Sequence, residues 1–208
     1  MKYLVLIADV VGSRQVPGRA RFQRRLKQEL AALNVRRRLA SPYTLTLGDE
    51  FQAVHRDAAG VFADIFTVLA RVAPVRLRFA LAVGEIVTPV NPEQAIGMDG
   101  SAFHRARAQL ERLKREGRLF AVQDGRPEPD QVTMATLNVL SGQVEGWKPT
   151  RCQLFAGLLE GGSPAELAKR TGITIRAVNK NIRAAELDEW RLILQNIERA
   201  LTAELKSR

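Results

Sequence analysis

Near the start of the chain, Tyr3-Leu4-Val5-Leu6-Ile7-Ala8-Asp9-Val10-Val11 is a continuous apolar run broken only by Asp9. Alternate residues of a strand face opposite sides of its sheet. A run with no polar alternation therefore reads as a central strand covered on both sides. Such a strand needs neighbours in a sheet and helices to bury its faces, so the chain is expected to mix α and β elements. Gly12-Ser13 ends the run. It carries no small-residue cleavage signal, and it reads as a strand rather than a leader peptide. No apolar run approaches the roughly 20 residues that cross a bilayer. The expected setting is the cytoplasm, with no membrane partner.

The pattern then alternates. Pro17 to about Leu39 has Phe22, Leu26, Leu30 and Leu33 at helical spacing, with basic residues on the other face. Tyr43–Leu47 and Phe51–Val54 read as short strands joined by a tight turn at Gly48-Asp49-Glu50. Gly60–Val72 reads as a helix, Arg76–Val87 as a strand, Ala102–Arg115 as a helix and Arg118–Val122 as a strand. The order β-α-β-β-α-β followed by α-β is that of a ferredoxin-like split βαβ plan with one added helix and strand. Residues 123–130, rich in Pro, Gly and charge, read as a linker, and Gln131–Val144 as a joining helix. From Trp147 onward the pattern is helical. The expected fold is α+β: a palm domain over 1–125, a linker helix within 126–146 and an all-α domain over 147–208.

Asp9 is the anomaly in the first strand, because a carboxylate among Ile, Val and Leu is costly unless paired or bound to a cation. If the strand pairs beside the Tyr43–Val54 hairpin, Asp9 and Asp49 meet at one end of the sheet, with Glu50 beside them. Carboxylates so placed suit Mg²⁺ or Mn²⁺, which then takes the phosphates of a nucleotide. A strand-end Asp and an ordinary Gly-Asp turn account for the two residues separately. The chain's one cysteine, Cys152, and two histidines, His55 and His104, leave no set for a zinc or iron–sulfur centre. Arg14, after the first strand, is placed to reach a phosphate or to sit in a solvated loop.

IADVVGS followed by LTLGDEF resembles the palm of class III nucleotide cyclases and their GGDEF relatives. That resemblance implies metal ligation by Asp9 and Asp49, with Glu50 as a further candidate and the Val10 backbone carbonyl as another ligand. The resemblance is partial. Leu45 stands where the cyclases carry a base-reading Lys, and Gly97 at the second base-reading position, with Asp99 close by. His104 and Ala108 stand at the positions of the residues that steady the transition state. His104 and Arg107, three apart on one helix face, are the candidate phosphate contacts in their place. Cyclase activity is therefore not expected.

A longer set of motifs is similar to the SatD family of bacterial proteins. It comprises Ile7-Ala8-Asp9 through Ser13-Arg14, Thr46 through Gln52, Gly84-Glu85-Ile86, and Asn91 through Arg107. A C-terminal helix-turn-helix completes that family pattern.

In this chain Ser163-Pro164-Ala165-Glu166 is a helix start of the capping-box kind. Gly172 ends that helix, and Thr174 caps the next, Ile175–Ala185, whose inner face carries Val178 and Ile182. The arrangement resembles the helix-turn-helix of DNA-binding proteins. Arg176, Asn179, Lys180 and Arg183 fall on its outer face, residue types that read base edges and hold phosphates. Trp190, Leu194, Ile197, Leu201 and Leu205 then form one stripe, used either inside the chain or in part as a dimer seam.

Lys and Arg number 32 against 22 Asp and Glu, a net charge of +10. That excess fits either a solvated basic surface or a polyanion partner. Together these readings point to a DNA-binding regulator, expected to dimerise, whose palm binds a divalent metal and a nucleoside triphosphate as signal. The alternative is a metal-dependent nucleotide-processing enzyme that the helix-turn-helix merely docks.

Overall fold

Residues Lys2–Val10 form strand β1 in the computed structural model, which describes residues 1–46 and 49–207. After a short 3₁₀ turn come helix α1 (Arg19–Arg36), strands β2 (Ser41–Leu45) and β3 (Phe51–His55) and helix α2 (Val61–Val72). Strand β4 (Leu77–Glu85), helix α3 (Ser101–Glu116) and strand β5 (Phe120–Gln123) follow. Five further helices complete the chain: α4 (Gln131–Glu145), α5 (Pro149–Leu159), α6 (Pro164–Thr171), α7 (Ile175–Ala184) and α8 (Leu187–Lys206). Leu47 and Gly48, within the strand and turn expected there, lie outside the described residues. The turn is bracketed by Thr46, whose N–H donates to the Glu50 carbonyl at 2.9 Å.

The protein is thus mixed α and β. Its sheet has the order β2-β3-β1-β4-β5, antiparallel except for the β4–β5 pair. The apolar run is central, as its lack of alternation requires. Leu4, Leu6, Ala8 and Val10 face one core, shared with Phe22, Leu26 and Leu30 of α1 and Phe62 and Phe66 of α2. Tyr3, Val5 and Ile7 face another, shared with Ala102, Ala106, Leu110 and Leu113 of α3. On that side β4 presents Ala80, Ala82 and Gly84. A Cβ on Gly84 would lie 2.5 Å from the Ala102 backbone nitrogen, so glycine there lets α3 approach.

Helix α2 is buried almost all round, because the sheet covers one side and α5 the other. The Phe66 ring meets Phe120 at 5.8 Å, Trp147 at 5.8 Å and Phe155 at 4.6 Å, so apolar contact runs from the sheet into the C-terminal helices. Helix α8 adds polar ties. Glu198 Oε1 accepts from the Phe62 N–H at 3.0 Å, and Thr202 Oγ1 from the Ala58 N–H at 3.1 Å. The α8 stripe is spent inside the chain: Trp190, Leu194, Leu201 and Leu205 are buried and Ile197 packs on the same core. Ile197 is only partly covered and, with Leu201, lines an open cavity.

Candidate functional site

Asp9 continues the odd-numbered residues of β1, so its side chain lies on the α3 side of the sheet. Strand register places Asp9 directly opposite Arg78 of β4. Arg78 shares that face with Ala80 and Ala82. Lys114, in the last turn of α3, reaches the same point. Asp9 Oδ1 lies 3.6 Å from Arg78 Nη1, and Oδ2 lies 3.6 Å from Lys114 Nζ. These are ion-pair distances, too long for hydrogen bonds. Asp9 Oδ1 and Arg78 Nε are both buried without a hydrogen-bond partner among the described residues. Burial raises the Asp9 carboxyl above its ordinary range, and Arg78 and then Lys114 only partly offset it.

Asp9 and Arg78 line an open cavity of about 530 Å³, although the two unsatisfied atoms are themselves buried. Asp9, Asp49 and Glu50 supply its acids, and Arg14, Arg78 and Lys114 its bases. Val10, Gly12, Ser13 and Gln15 complete the wall. The structure therefore brings Asp9, Asp49, Glu50, Val10 and Arg14 together. Glu50 is already engaged: Arg107 Nη1 donates to its Oε2, and that bond raises the Arg107 guanidinium above its usual range. Arg107 thus borders the cavity only through Glu50. His104 stands elsewhere, exposed, its Nε2 3.0 Å from Asp99 Oδ1. Arg78 and Lys114 are the two lining cations that the motifs did not single out. Register is the missing signal, because Arg78 counts as a site residue only once β4 is paired with β1.

No group of three His, Cys, Asp or Glu side chains among the described residues is gathered closely enough to hold a metal ion. The donor set does not form a protein cage. It does fit a divalent ion held by one or two carboxylates and completed by phosphate oxygens, the usual way Mg²⁺ binds beside a nucleotide. Asp9, whose Oδ1 lacks a hydrogen-bond partner among the described residues, would be the first such donor. Arg14, Arg78 and Lys114 place three positive side chains on the same cavity wall.

A second constellation lies on α6 and α7. Ser163 Oγ accepts from the Glu166 N–H at 3.4 Å while Glu166 Oε2 accepts from the Ser163 N–H at 2.8 Å, a complete capping box. Gly172 closes α6 in the left-handed region at φ 70°. Thr174 Oγ1 then caps α7 by accepting from the Ala177 N–H at 3.2 Å. Leu167, Val178 and Ile182 are buried. A Cβ on Gly157 of α5 would meet Leu167 Cδ2 at 2.2 Å, so that glycine seats α6. Arg176, Asn179, Lys180 and Arg183 are all exposed, on the face opposite Val178 and Ile182. Among the described residues none of those three cations has an ion-pair partner, whereas nearby Arg170 lies 3.4 Å from Glu160.

Among the described residues no helix is long and apolar enough to cross a membrane. The model of the SatD family matches residues 3–200. No curated protein matches the chain. A solved structure of a bacterial light-regulated adenylyl cyclase is similar at 11% identity and a TM-score of 0.40, over 59% of this chain and 43% of that one. The match thus spans less than half of that structure's length.

Proposed function

This chain belongs to the SatD family, and on that premise we propose that it is a DNA-binding regulator that takes a metal-bound nucleotide as its signal. In this reading the sheet and its helices form a ferredoxin-like palm, and α6 and α7 a helix-turn-helix. Helix α7 lies in the major groove, with Arg176 and Asn179 toward base edges and Lys180 and Arg183 toward phosphates. The observation that carries the reading is the outer face of α7: three exposed cations without ion-pair partners among the described residues, on a helix whose opposite face buries Val178 and Ile182.

The Asp9 cavity is the signal site. Arg14, Arg78 and Lys114 would hold the phosphates of a nucleoside triphosphate, and Asp9 and Asp49 would hold a Mg²⁺ or Mn²⁺ ion beside them. The ion supplies charge neutralisation for the phosphates. The unsatisfied Asp9 Oδ1 and Arg78 Nε support this assignment.

The test is duplex binding by the full chain, with and without Mn²⁺ and each nucleoside triphosphate. A signal role requires one of them to change DNA affinity by roughly fivefold or more, the low end of ordinary coupling. Identical affinity with every nucleotide would contradict it.

The unsatisfied atoms at Asp9 also favour a second reading, a metal-dependent nucleotide-processing enzyme. Cyclase chemistry is its least supported form, because His104 is held by Asp99 and Arg107 by Glu50. Incubation with ATP or GTP is expected to yield no cyclic product, and measurable turnover would overturn that view.

A further inference from the structure

Between Asp9 and Glu29 the chain carries no acidic residue and six basic ones: Arg14, Arg19, Arg21, Arg24, Arg25 and Lys27. All six are exposed, and none has an ion-pair partner among the described residues. Many other arginines are spent: Arg76 on Glu145, Arg112 on Glu116, Arg126 on Asp124. On α1, Arg21, Arg24 and Arg25 lie opposite the buried Phe22, Leu26, Leu30 and Leu33. Arg14 belongs to the Asp9 cavity, so the face at issue is the N-terminal half of α1.

We propose that this face is a second phosphodiester-contacting surface, which grips the backbone of the duplex that α7 reads. The proposal rests on the DNA-binding reading and adds a surface to it. Three observations favour nucleic acid over other polyanions. First, a helix that lies on a membrane needs a free apolar face, and every large apolar residue in this half of α1 is buried in the core. Second, arginine dominates the face, and its planar fork matches phosphate oxygens. Third, the far end of α1 adjoins α6. Glu160 lies 3.6 Å from Arg36 and 3.4 Å from Arg170, so the helix carrying this surface abuts the unit that carries α7.

The experiment titrates a random-sequence duplex with the full chain over a range of salt. It compares the parent, the variant Arg21→Gln/Arg24→Gln/Arg25→Gln/Lys27→Gln, and the variant Arg176→Gln/Lys180→Gln/Arg183→Gln. Circular dichroism checks that each is folded. If all four α1 side chains contact phosphates, the slope of log K against log salt falls by about 3.6, at about 0.9 per contact. A fall of at least one contact, with weaker low-salt binding, supports the proposal. Parent-like binding by the α1 variant overturns it, and if the α7 variant then fails to bind, the DNA-binding reading stands alone. Loss in the α1 variant with none in the α7 variant upholds this surface and overturns the assignment of α7. Binding to phosphatidylserine vesicles that the α1 variant loses, with duplex binding unchanged, also overturns the proposal.

Discussion

Asp9 and Arg78 face each other across the β1–β4 ladder, Oδ1 to Nη1 at 3.6 Å, and each keeps one buried polar atom without a hydrogen bond among the described residues. A pair built for stability alone closes to hydrogen-bond distance, because a buried charge is costly unless fully satisfied. This pair instead stands apart at the edge of a cavity, with Lys114 also at 3.6 Å.

A carboxyl whose ionisation is disfavoured by burial destabilises the ligand-free fold at neutral pH. Its folded pKa lies above the unfolded one, so its stability contribution is full at low pH and is lost as pH rises through the folded value. Asp9→Asn is therefore expected to melt at or above the parent temperature at pH 7 without ligand. With Mn²⁺ and the active nucleoside triphosphate the parent melts higher, and Asp9→Asn and Asp49→Asn do not. Thermal-shift measurements check both halves. An equal ligand-induced rise in parent and variants would remove Asp9 and Asp49 from the site.

Three consecutive arginines, Arg36, Arg37 and Arg38, have different tasks. Arg37 Nη2 lies 2.7 Å from Asp64 Oδ1, and the Tyr43 hydroxyl donates to Asp64 Oδ2 at 3.1 Å. Asp64 is 2% exposed. Arg37→Met strands that carboxylate, and urea unfolding is expected to show a loss of about 3–5 kcal/mol. Arg36→Gln and Arg38→Gln are surface changes expected to stay within about 0.5 kcal/mol. Similar losses for all three would contradict this division.

His55 is fully buried, its ring 5.6 Å from that of Tyr43, and burial lowers its pKa to about 4 from the usual 6.5. Asp57 opposes that shift and Arg37 adds to it. The unfolded chain gains a proton near pH 6.5 that the folded chain refuses until about pH 4. Stability contributed by neutral His55 is complete above the unfolded value and lost as pH falls through this window, by about 3 kcal/mol in all. His55→Phe is expected to flatten the fall in stability between those pH values. Parallel pH profiles for parent and variant would show that His55 is protonated in the fold.

Features encoded within a few residues were readable from the chain alone. An apolar run broken only by Asp9 announces β1, and Ser163, Glu166, Gly172 and Thr174 mark the ends of α6 and α7, because strand burial and helix capping are local. What required tertiary pairing was not readable. Arg78 looks like any alternating polar residue until register sets it against Asp9. Arg37 is indistinguishable in sequence from Arg36 and Arg38, yet only it reaches Asp64. The α8 stripe has the same pattern whether it packs on its own chain or on another, and only the fold puts α5 and the sheet beside it. His104 and Arg107 share a helix face as their spacing requires, but Asp99 and Glu50, which engage them, come from separate loops.

The central claim is that the outer face of α7 holds DNA. The most direct measurement is low-salt titration of a labelled duplex with the parent and with folded Arg176→Gln/Lys180→Gln/Arg183→Gln. The expected result is at least a tenfold loss of affinity and a salt slope lower by up to about 1.8, at about 0.9 for each of the two phosphate contacts assigned to Lys180 and Arg183. Superimposable isotherms and equal salt slopes would contradict the claim.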